Sequence, residues 1–155
     1  MLSGQAAHTK DFSSHMREAL FETRADAIVA TDRDGVIRIW NAGAIGIFGF
    51  GVEEVIGRPL DITIPQNLLP LHWQGYRNVM ETRRSRYGEA EIMSVPALTN
   101  SGRRISVEFT ITPARDNEVN LIGLVAIMRD VTTRFQELKL LRSQVAASGH
   151  PQSSS

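Results

Sequence analysis

ADAIVATDRDGVIRIWNAGAIGIFGF, residues 25–50, decides the fold. Residues 27–32, AIVATD, read as a half-buried strand. Asp34-Gly35 supplies a turn, because glycine takes the positive φ that a tight hairpin needs. Residues 36–40 are the return strand. Asn41 is a good N-cap, and residues 42–50 read as a short apolar helix.

Working outward, residues 52–57 form another helical turn with Gly57 at its C-cap, and Arg58-Pro59 breaks it. A longer helix is predicted over 68–83, with Asn67 as N-cap and Pro70 tolerated in the first turn. Residues 91–98 are strand-like, and Thr99-Asn100-Ser101-Gly102 is a turn cluster. Over 104–112, Ile105, Val107, Phe109 and Ile111 alternate with polar residues, so this strand has one wet face. Residues 115–118 turn the chain again. Residues 119–128 are apolar on both faces, as in a central strand, and an exit helix is predicted over 135–146. Upstream, a helix over 11–24 carries Phe12, Met16, Ala19 and Leu20 as one stripe. Residues 1–10 and 147–155 are expected to be disordered, leaving 25–134 as the domain. Five strands with helices inserted after the second make an α+β fold, helices covering one face of a five-stranded antiparallel sheet.

Composition narrows the functions. In 155 residues, 17 Lys+Arg balance 17 Asp+Glu, so no nucleic-acid partner is expected. No apolar run is long enough to span a bilayer and no signal-peptide core stands at the N-terminus, so a cytoplasmic location without membrane contact is expected. With no cysteine there is no disulfide, thiol nucleophile or covalent c-type haem. Asp32, Asp34, Glu53, Glu54, Asp61, Glu89, Glu91 and Glu108 are scattered over turns and wet faces. There is no phosphate-cradling glycine motif and no nucleophile elbow, so no enzyme is expected.

The ordered set Asp32, Asp34-Gly35, Trp40-Asn41-Ala42, Phe48-Gly49-Phe50 and Glu53-Glu54-Val55-Ile56-Gly57-Arg58-Pro59 resembles the N-terminal signature of the PAS domain. Ser101-Gly102-Arg103 resembles its second half, and Arg129-Asp130-Val131-Thr132 its closing motif. The resemblance covers about residues 20–134. It implies a sensor that passes a conformational change to its flanking helices. The flavin photoreceptor type needs a reactive cysteine and is excluded; non-covalent haem, flavin or a small metabolite stay open.

The longer helix carries the candidate site. Leu69, His72, Trp73, Tyr76 and Met80 share its apolar face. A neutral imidazole in an apolar pocket is a good iron ligand. His72-Trp73-Gln74-Gly75-Tyr76, with Arg86-Tyr87-Gly88 and Val95-Pro96-Ala97, resembles a bacterial PAS subgroup in which haem-dependent gas or redox sensing is found. That resemblance implies haem b held through His72 as proximal iron ligand, with Trp73 and Tyr76 as pocket wall. The sixth ligand would be Met93, Met128 or a diatomic gas. Arg104 or Arg103 would pair with the propionates. The plainer reading makes His72 a core histidine bonded to a backbone carbonyl or carboxylate, with no cofactor.

Output is assigned to Asp130, as a cap accepting backbone N–H bonds, and to Thr132 after it. Phe135, Leu138, Leu141 and Val145 offer a seam to a second copy. It is too short for a stable coiled coil alone, so a homodimer would use both flanking helices. The signal would go to a partner protein or to an effector domain outside this chain. The competing reading, a ligand-free interaction module, predicts a filled core without a cavity.

Overall fold

The computed structural model describes residues 3–82 and 91–149. Arg86-Tyr87-Gly88, Glu89, His150 and the side chain of His8 lie outside what it describes. Helix α1 (Ser3–Glu22) precedes the hairpin β1 (Ala27–Asp32) and β2 (Ile37–Trp40). Helices α2 (Ala42–Phe48) and α3 (Val52–Val55) follow, then 3₁₀ turns at Leu60–Thr63 and Gln66–Leu68 and helix α4 (Leu69–Thr82). The second half is β3 (Met93–Leu98), β4 (Arg104–Arg115), β5 (Leu121–Asp130) and helix α5 (Thr132–Ser148).

The hairpin closes as the turn residues require. Gly35 takes φ +78°, and the Asp32 carboxylate accepts the N–H groups of Asp34 and Val36. Asn41 then joins three segments. Its Oδ1 accepts the N–H of Ala44, which caps α2, and the N–H of Ile28 in β1. Its Nδ2 donates to the carbonyls of Thr23 and Asp26. Helix α2 lies so close to β1 that a Cβ at Gly43 would stand 2.0 Å from the Asp26 carbonyl oxygen.

The sheet is antiparallel throughout, in the order β2-β1-β5-β4-β3. β5 is the middle strand, which is why it is apolar on both faces. Val29, Ile37, Trp40, Phe48, Ile105 and Val107 are among the side chains of the core between the sheet and the helices that cover it. A second buried group sets Tyr76, Val79 and Met80 of α4 against Leu121 and Leu124 of β5.

Several boundaries differ from those the sequence suggested. α1 begins at Ser3 rather than residue 11, through a segment expected to lack structure, and ends at Glu22. The 3₁₀ turn Gln66–Leu68 runs straight into α4, so Asn67 sits inside that turn and not at an N-cap. α3 stops at Val55; Gly57, at φ +84°, instead donates its N–H to Ile37. β5 starts at Leu121, because the Asp116 carboxylate takes the N–H groups of Glu118 and Asn120 and extends the turn to residue 120. α5 starts at Thr132, three residues early, because the Asp130 carboxylate accepts the Thr132 N–H at 2.9 Å.

Candidate ligand-binding site

Between the sheet and the helices lies a cavity of about 110 Å³. Val107, Phe109 and Ile111 of β4 and Leu124, Ala126 and Met128 of β5 form its floor. Leu60, Thr63 and Ile64 form one wall, and His72 and Tyr76 of α4 form the roof. Strand periodicity produces this floor: residues two apart share a face, and the inward set of β4 is apolar.

His72 is half-buried, and its Nδ1 is cut off from solvent with no hydrogen-bond partner among the described residues. Burial holds its pKa below the usual histidine range, and the nearby Asp61 charge pulls it partly back. The imidazole is therefore neutral at pH 7. Its ring meets Trp73 edge-on at 4.9 Å between centroids and lies 6.1 Å from Tyr76. The plainer reading of His72 gave it a carbonyl or carboxylate partner; the described residues supply none.

Tyr76 is anchored. Its hydroxyl donates to the Asp32 carbonyl oxygen and lies 2.9 Å from Thr31 Oγ1. Having spent its one proton on Asp32, it accepts the Thr31 hydroxyl proton. Burial raises the phenol pKa, Thr31 opposes the rise, and the Asp32 and Asp34 charges add to it. Trp73 does not line the cavity. Its indole lies over Gly35, where a Cβ would fall 2.2 Å from the ring, and its Nε1 donates to Asp61 Oδ1 at 2.6 Å.

The remaining sequence candidates divide by strand register. Met93 pairs with Phe109, so it faces the cavity side, but it stands at the end of β3 beyond the lining. Met128, weighed as its alternative, is in the lining and nearly buried. Arg104 precedes the inward-facing Ile105 and is exposed on the opposite face; Arg103 is exposed in the turn. Neither arginine lies at the cavity, because alternation turns residue 104 away from the side that residue 105 faces. Thr31 and Thr63 join the lining without having been sequence candidates, and Phe109 joins it from the apolar face of β4. Thr31 had a signal: it is the polar member of the inward set Ala27, Val29, Thr31.

The donor chemistry at His72 suits an iron, since a neutral imidazole with a free ring nitrogen is what a haem requires. The cavity as it stands does not hold a macrocycle. Cofactor pockets enclose about 300–1,000 Å³, whereas an apolar cavity of about 150 Å³ takes a benzene.

Asp130 and Thr132, the residues expected to carry output, are bonded to the sheet. Thr132 Oγ1 donates to the Asp130 carboxylate and accepts the Ser106 N–H at 3.0 Å, and the Val131 N–H donates to the Ser106 carbonyl at 2.9 Å. Ser106 adjoins Val107 of the cavity floor.

Comparison with known proteins agrees with this architecture. The family model of the PAS fold matches residues 15–131, and the chain belongs to that family. An uncharacterized protein of Azorhizobium caulinodans is 33% identical over 134 residues, 83% of this chain and 17% of that protein. The signal transduction histidine-protein kinase AtoS of Escherichia coli is 24% identical over 143 residues, 86% of this chain and 22% of the kinase. The oxygen sensor protein DosP of Escherichia coli is 24% identical over 132 residues, 85% of this chain and 16% of that sensor. This chain thus spans less than a quarter of each of these relatives. Among solved structures, the PAS domain of a Colwellia psychrerythraea protein superposes with TM-score 0.66 at 24% identity, covering 77% of this chain and 97% of that one. Among the described residues no helix is long and apolar enough to cross a membrane.

Proposed function

We propose that this PAS domain is the sensory module of a signal-transduction protein, and that its input binds in the cavity beneath α4 in contact with His72. The observation that carries this is the buried Nδ1 without a partner, at the edge of an apolar cavity. An unsatisfied polar atom in such a place costs about 1–3 kcal/mol, a cost that a ligand removes. The ligand-free alternative predicts a filled core and leaves that atom unexplained.

The finer reading is haem b with His72 as axial ligand, serving to sense a diatomic gas or redox state. Its support is the neutral imidazole and the likeness to an oxygen sensor protein. When bound, haem would supply the gas- or redox-responsive iron; the chain's part is to present His72 and exclude water with Phe109, Leu124 and Met128. Haem entry requires α4 to move off the sheet. The volume itself favours a second reading, a small and mostly apolar molecule with one hydrogen-bonding group for His72. On either reading the domain does no catalysis. It acts in the cytoplasm, as a dimer through α1 and α5, on a partner or an effector domain.

Absorption spectra of purified protein with added haem, oxidised and reduced, test this. A Soret band that His72→Ala removes with the fold retained supports haem. Colourless protein ends the haem reading. The second reading then predicts that phenol raises the melting temperature and that His72→Leu removes the effect; no shift in either protein ends it as well.

A further inference from the structure

Helix α4 roofs the cavity, and its cavity-facing side is held by two polar attachments. The inner one is Tyr76, whose hydroxyl bonds the end of β1. The outer one is Trp73. Its indole N–H reaches Asp61 Oδ1 at 2.6 Å, and its ring rests on Gly35 at the hairpin turn. Asp61 belongs to the 3₁₀ turn Leu60–Thr63, both ends of which line the cavity. The Trp73–Asp61 bond therefore spans the cavity rim, from the roof to the facing wall. His72 lies beside both attachments, edge-on against Trp73 at 4.9 Å and 6.1 Å from Tyr76.

We propose that Asp61 and Trp73 form a latch that holds the N-terminal half of α4 closed over the cavity and keeps the His72 ring turned toward it. Released, this half of α4 lifts about Tyr76 and admits a ligand larger than the closed volume. The acceptor is a carboxylate, so the bond is of the stronger, charge-assisted kind. It is part-buried at the cavity rim, and both groups meet water once they part, so opening does not strand them unbonded. Gly35 makes the seat: any side chain there would meet the indole. The inference concerns how the roof is held and does not depend on which ligand the cavity takes.

Hydrogen-exchange mass spectrometry on the full chain tests the latch. Trp73→Phe keeps an aromatic ring and removes the donor; Asp61→Ala removes the acceptor. Each is expected to speed exchange of the amides of residues 71–76 about tenfold while β1 and β5 keep their rates, because local opening is read separately from global unfolding. Asp61→Asn keeps an acceptor oxygen and is expected to stay within about threefold of the parent. Unchanged α4 exchange in both Trp73→Phe and Asp61→Ala, or acceleration shared equally by β1 and β5, overturns the proposal.

Discussion

Asn41 uses both ends of its amide, accepting from two backbone N–H groups and donating to two carbonyls, while almost fully buried. Asn41→Ala leaves those groups unbonded and is expected to lower the unfolding free energy by about 2–4 kcal/mol, read by urea denaturation. Val119 presents the opposite case. It is β-branched and stands at φ +67° in the turn between β4 and β5, a conformation that favours glycine or asparagine. Val119→Gly should raise stability by about 0.5–1 kcal/mol, since the side chain is exposed and little packing is lost. His72 sets a pH dependence. Its folded pKa is depressed, so between that value and the ordinary one the unfolded chain binds the proton that the folded chain refuses. Stability is then fully present above about pH 6.5 and falls as the pH drops through that window. Urea titrations at pH 7.5 and 5.5 should show a larger loss for the parent than for His72→Gln. Asp32 is not involved there: burial raises its pKa, but the bonds from Arg38, Val36 and Asp34 outweigh this and hold it below the usual carboxylate value.

Among the elements, α5 leaves the domain from the end of β5. It has no buried residue, and its first turn is fixed to β4 through the Asp130–Thr132–Ser106 bonds. Ser106 lies between Ile105 and Val107, so the base of α5 is bonded to the strand that floors the cavity. Thr132→Val removes the hydroxyl while keeping the shape. It should cost about 1 kcal/mol and speed amide exchange in the first turn of α5, and Thr132→Ser should restore both. Equal exchange in Thr132→Val and the parent would show that the backbone bond of Val131 suffices. The Asp26–Arg129 ion pair ties the segment after α1 to the end of β5, but Arg129 is solvent-exposed and such pairs contribute little.

For the whole molecule, Phe12, Met16 and Leu20 on α1 and Phe135, Leu138, Leu141 and Val145 on α5 leave two exposed apolar seams. Sedimentation over a range of concentrations should show a dimer that Leu20→Asp or Leu138→Asp weakens by tenfold or more; a parent that stays monomeric throughout would rule the seams out as a homodimer interface. How far the sequence reached depends on how local each feature is. The hairpin, the Asn41 cap, the wet and dry faces of β4 and the centrality of β5 were legible because each rests on a repeat of two or on one turn residue. The shared face of His72, Trp73 and Tyr76 was legible from helical spacing. Strand register and helix placement were not, since they follow from contacts between segments far apart in the chain. Only the tertiary structure therefore seated Met128 rather than Met93 in the cavity floor, turned Arg104 away from the cavity, and set Trp73 outside it against Gly35 and Asp61. The chain by itself determined the type of fold and the side chains that point inward. Packing decided which of them meet, how much space they leave, and that His72 faces that space with a nitrogen unbonded.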